Sequence, residues 1–193
     1  MSVRRPEPAG GGPSAAVLFI FLDGVGLAPA GADNPLSLVP MPRLAELIGG
    51  PLVLDGTGRD DGVWRGRSVV WRALDACLGV PGLPQSATGQ TALFTGVNAP
   101  ALVGDHVTAQ PTAALRSVIE EQSLLKRAAE AGARVLFANA HSERFWAWVQ
   151  EGRRRLGAST LTALAAGAPI RTLDELRAGR AELWDMTHEV AAA

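Results

Sequence analysis

At 193 residues the chain has room for one domain of ordinary size, and its formal net charge of −1 excludes the general pull toward nucleic acid or an anionic membrane that a basic protein has. The single cysteine, Cys77, excludes an internal disulfide and suits a reducing compartment, where it reads as a small buried apolar residue. The longest apolar run, Ala15 to Leu22, is too short to cross a bilayer and lacks a small-residue cleavage site after it. The expectation is a cytoplasmic protein with no membrane or nucleic-acid partner.

Residues 1–15 are rich in Arg, Pro, Gly and Ser and are expected to form a disordered tail, with 16–193 as the folded part. Ala15 to Leu22 predicts a buried strand of a parallel sheet, ending at Asp23 before a Gly24-Val25-Gly26 turn. A carboxylate at that edge suits a metal ion, and equally suits capping the turn. A dinucleotide fold is a poor fit, because the third glycine is absent and Pro29 falls where the phosphate-binding helix would run. Residues 28–42 predict a loop, Arg43 to Ile48 a short helix stopped by Gly49-Gly50, and Leu52 to Leu54 a short strand. The polar connection 55–67 carries Asp60-Asp61, read as a solvated turn. Residues 68–78 mix strand and helix signals.

In the stretch Pro84-Gln85-Ser86-Ala87-Thr88-Gly89, Pro84 ends the preceding element and a helix begins near Ser86, with Ala92, Leu93 and Phe94 as its apolar face. A hydroxyl at a helix start is an N-cap or a nucleophile, since the N–H groups and dipole there favour an anion. A serine of this kind needs a base or metal to activate it. Residues 112–131 predict helix, with a second helix starting at Ser123, and Arg134 to Asn139 predicts the next parallel strand. Asn139 at its end is a candidate substrate-binding residue as well as a turn former, and His141 shares that ambiguity. Phe145, Trp146, Trp148 and Val149 followed by Arg153-Arg154-Arg155 predict a packed helix whose last turn is complemented by arginine. One of those arginines also suits a phosphate ester. Short helices are expected at 160–166 and 172–178. Asp185 and His188 have helical metal-ligand spacing, and read otherwise as an exposed terminus.

Five segments stand in one order: Phe21 to Gly26, Asn34-Pro35, Met41 to Leu44, Leu74 to Ala76, and Gly82 to Thr91. That order resembles the N-terminal part of alkaline-phosphatase-superfamily metalloenzymes, in the branch of cofactor-independent phosphoglycerate mutase and phosphopentomutase. The resemblance spans about residues 16 to 140 and implies Asp23 as a metal ligand, and Ser86 as the nucleophile and a metal ligand, with Thr88 as the other catalytic candidate. Asp75 would support the nucleophile loop. Gly89-Gln90 stands where the family has glycine-histidine, which places the chain in an outlying subgroup.

The resemblance implies an α/β fold with a three-layer parallel-sheet core of alkaline-phosphatase type, incomplete at the C-terminal end. It also implies two divalent ions, manganese or zinc, and a small phosphorylated substrate. The family's second ligand set, with its late Asp-His pair, has no counterpart here: the histidines are His106, His141 and His188, and Asp105-His106 is the one Asp-His dipeptide. The expectation is therefore the front portion of a metal-dependent phosphomutase or phosphohydrolase. The alternative is a non-catalytic or truncated domain that self-associates or needs a partner chain.

Overall fold

The computed structural model describes residues 16–54, 63–65 and 69–184. The expectations for the 1–15 tail, for Asp60-Asp61 and for Asp185 with His188 lie outside the described residues. The chain divides into two compact units, Met1–Ala73 and Leu74–Ala193.

In the first unit, buried Asn34 organises the loop after Asp23. Its Oδ1 accepts the Leu36 N–H at 3.0 Å, starting helix α1 (Pro35–Leu38), while its amide donates to the carbonyls of Ala28 and Pro29 at 3.1 and 3.0 Å. Helix α2 (Pro42–Ile48) buries Ile48 and stops at Gly49, whose φ of 78° suits glycine. The strand expected at 52–54 reduces to one parallel bridge between Pro29 and Leu54. Strands β1 (Val63–Arg65) and β2 (Val70–Arg72) pair antiparallel, with Trp64 opposite Trp71.

Among the described residues, the core strand expected over Ala15 to Leu22 is not seen. Residues 16–22 carry no ladder among the described residues, and Val17 and Ile20 are 92% and 71% exposed. An apolar run supplies a face to bury; a strand also needs a neighbour for its N–H and C=O groups.

The second unit is helical at its centre. Helix α3 (Ser86–Thr95) is followed by α4 (Ala99–Val103), α5 (Ala113–Gln122) and α6 (Leu124–Glu130). Amphipathic α5 buries Leu115 and Ile119 completely and packs against α3 and α8 (Ala158–Ala165). Leu115 joins Ala87 and Ala99, and Ile119 joins Phe94 and Ala158. The face α3 turns inward carries Ala87, Thr88 and Thr91 beside Phe94. Thr91 and Thr95 donate to the carbonyls of Ala87 and Thr91, at 2.6 and 2.7 Å, so these hydroxyls are satisfied within the helix.

Strand β3 (Ala140–His141) runs parallel to β4 (Arg171–Thr172), and helices α7 (Glu143–Gln150) and α8 form the crossover between them. Helix α9 (Leu173–Arg177) follows β4 through a capping box of Thr172 and Glu175. Pairing begins only at the end of the strand expected over 134–139. The Ala140 N–H donates to the Glu182 carbonyl at 2.7 Å and the Glu182 N–H to the Ala138 carbonyl at 2.8 Å. Residues 134–138 form no strand, and Leu136 is 56% exposed. The described fold is thus mixed α and β, with a small two-stranded parallel sheet.

Candidate functional site

Ser86 is the first residue of α3, half-buried, preceded by Gln85 in extended conformation with no side-chain cap on the helix. Two successive turns lead into it. Asp75 accepts the Cys77 N–H at 2.9 Å on Oδ1 and the Leu78 N–H at 3.3 Å on its carbonyl, and Val80 then donates to the Cys77 carbonyl at 3.0 Å. Leu78 has φ 52° and Gly79 φ 79°. The left-handed conformation costs a residue such as leucine about 1–2 kcal/mol, so outside contacts must hold it. The Asn98 amide donates to the Leu78 carbonyl at 2.8 Å, while its Oδ1 accepts the Ala101 N–H and caps α4.

A second strap comes from residues 105–108. The His106 Nε2 lies 3.0 Å from the Val80 carbonyl; a carbonyl only accepts, so that nitrogen carries the proton. Gly82, with φ 124°, passes so close that a Cβ there would meet the His106 ring at 3.2 Å. The Val107 carbonyl accepts the Ala87 N–H at 3.1 Å, and its N–H donates to the Thr88 hydroxyl at 3.2 Å. The Thr108 hydroxyl donates to Gln85 Oε1 at 3.2 Å.

These contacts separate the two hydroxyls. Thr88 is fully buried, accepts from Val107 and donates to the Gln85 carbonyl at 3.3 Å. To act as a nucleophile it would have to give up both bonds. The Ser86 hydroxyl has no hydrogen bond among the described residues and faces no such constraint. The Ala87 N–H, being taken by Val107, is withdrawn from any anion at this helix start.

Asp23 belongs to the other unit. It is exposed, and its Oδ1 accepts the Gly24 N–H at 2.8 Å in a turn where Gly24 has φ 69°. Asn139 is half-buried at the bridge to Glu182. Asp75 acts as a turn former ahead of α3, and Asp105 accepts the N–H of His106 at 2.7 Å. Among the described residues no group of three or more His, Cys, Asp or Glu side chains could hold a metal ion.

His141 ends β3 with its Nε2 3.1 Å from the buried Thr160 hydroxyl, stacked on Phe145 at 4.2 Å and edge-on to Trp146. Burial pushes its pKa below the ordinary imidazole value. The positioning roles of Asn98, His106 and Val107 were not read from the sequence. Asn98 before Ala99-Pro100 carried a helix-start signal. The other two act through contacts that no local pattern encodes.

Comparison with known proteins returns no match: no family model, no curated protein and no solved structure aligns with the chain.

Proposed function

We propose that the chain carries the nucleophile segment of a phosphoryl-transfer enzyme, a phosphomutase or phosphohydrolase of alkaline-phosphatase type. The observation that supports this most is the Ser86 hydroxyl, without a hydrogen bond among the described residues, at the start of a ten-residue helix whose approach is strapped by Asn98, His106 and Val107. A rigid loop presenting a free hydroxyl beside the positive end of a helix suits attack on a phosphate ester. The new bond is Oγ to phosphorus, the bond broken is phosphorus to the ester oxygen, and the leaving alcohol takes up a proton. Helix α3 would stabilise the incoming anion with its dipole and remaining first-turn N–H groups. A mutase and a hydrolase differ in what then accepts the phosphoryl group.

In the family this chain resembles, two divalent ions activate the nucleophile. One carboxylate and one hydroxyl, Asp23 and Ser86, fall short of the three or more protein ligands of a catalytic zinc. A two-ion centre of manganese or zinc needs donors beyond them. The three-layer parallel sheet belongs to the same proposal, supported by the parallel pair of β3 and β4.

That shortage of donors supports a second reading, a non-catalytic domain of the same ancestry that works with a partner chain. One experiment separates the two. The purified chain is incubated with phenyl phosphate and manganese or zinc, quenched in acid and mapped by mass spectrometry. The enzyme reading expects phosphoserine at Ser86, lost in Ser86→Ala and retained in Thr88→Ser. An absence of label under every metal condition favours the non-catalytic domain, and unchanged labelling in Ser86→Ala removes the nucleophile assignment.

A further inference from the structure

Helix α7 ends in a turn that folds arginines back over a tryptophan. Gly152 takes φ 70°, and the N–H groups of Arg153 and Arg154 both donate to the Trp148 carbonyl, at 2.9 and 3.1 Å. Arg144 reaches the same ring from one helical turn earlier. The guanidinium carbons of Arg144, Arg153 and Arg154 lie 4.6, 5.5 and 5.6 Å from the centre of the half-buried Trp148 ring, and that of Arg154 is also 5.9 Å from Phe145. Three like charges thus share one indole.

Among the described residues, no carboxylate pairs with Arg144 or Arg154 to balance them, while Glu151 pairs with Arg153 at 3.2 Å. The negative end of α7 offsets about half a charge. Arg155 adds another positive charge beyond the turn, and Glu143 stands at the opposite end of the helix. Contact with an aromatic face limits the freedom a guanidinium has left to lose, and its N–H fork matches phosphate oxygens.

We propose that Arg144 and Arg154, spaced by Trp148, form a binding site for a dianionic oxyanion of the phosphate class, separate from Ser86. Arg153, held by Glu151, stands beside it as a third donor. A small anion fits better than a nucleic acid, because the ring that a base would stack on already carries the arginines. The ligand is free phosphate or the phosphate end of a monoester.

The test is titration of the full chain with inorganic phosphate at constant ionic strength, followed by 31P line width and by calorimetry. The expected dissociation constant is on the order of 1 mM, weakened at least about tenfold in R144Q/R154Q with an unchanged circular dichroism spectrum. Glu151→Gln, which releases Arg153, should tighten binding about threefold. The loss in R144Q/R154Q should persist in the Ser86→Ala background, so loss of the nucleophile assignment leaves this site standing. Phenyl phosphate in parallel distinguishes the sources: tighter ester binding assigns the site to a monoester, tighter phosphate binding to the free ion. A response matched by sodium chloride, binding unchanged in R144Q/R154Q, or tighter binding of a single-stranded oligonucleotide than of phosphate overturns the proposal.

Discussion

Ser86 and Thr88 are two residues apart and chemically alike, yet their surroundings assign them different work. Removing the Thr88 hydroxyl orphans the Val107 N–H inside the protein. Thr88→Val should therefore destabilise by about 1–3 kcal/mol. Ser86→Ala changes a half-exposed first-turn residue and should stay within about 0.5 kcal/mol of the parent. Urea unfolding of both variants checks this, and an equal loss in the two would show that Ser86 is a packing residue. His141 supplies a second residue-scale expectation. Its folded pKa is depressed by burial, so on acidification the unfolded chain takes up the proton first. Stability should be flat above neutrality and fall as pH drops from about 6.5 toward the lower folded value. His141→Gln, which keeps a partner for Thr160, should flatten that slope. A parent curve already flat between pH 7.5 and 5 would mean the ring is solvated.

At the scale of elements, the loop before α3 is held from outside itself, and Asn98 links the two. Asn98→Ala removes the cap of α4 and the tie to the strained Leu78, and should cost about 1–2 kcal/mol. Asn98→Asp keeps the cap and loses only the tie, so hydrogen exchange at Val80 should speed up in both variants while α4 frays only in the first. Protection at Val80 unchanged in Asn98→Asp would mean that His106 alone holds the loop. Local signals marked most of the helices, although α1 formed inside the segment read as a loop and α4 was not read. Gly49 stopped α2, Ser123 divided α5 from α6, and the periodic apolar positions of α5 faced the core as expected. The start of α3 at Ser86 was legible from Pro84 and the hydroxyls. Strands were not, because their existence depends on neighbours distant in sequence. The run over 134–139 pairs only where Glu182 reaches it, and 16–22 finds no ladder at all among the described residues. The candidate site was half legible for the same reason: the helix start at Ser86 is marked locally, whereas the His106 and Val107 straps are long-range.

The whole molecule combines a net charge near zero with exposed apolar side chains among the described residues. No described helix is long and apolar enough to cross a membrane. Residues 16–22 hold Val, Leu, Phe and Ile with no charge, proline or glycine, which is the composition that pairs readily with another strand. Val17, Leu18 and Ile20 are 92%, 82% and 71% exposed, so the side chains that would line such a contact are at hand. A net charge of −1 gives little repulsion to keep copies apart. The chain should therefore associate as concentration rises, visible as a mass increase in sedimentation velocity and as binding of a hydrophobic dye. V17K/I20K places two like charges in the segment and should shift the distribution toward monomer without altering the unfolding of the helical unit, since neither side chain is buried in a core. A parent chain that stays monomeric and dye-free across the same range would mean that the segment is covered in solution, and the lysine pair should then destabilise the fold instead of solubilising it.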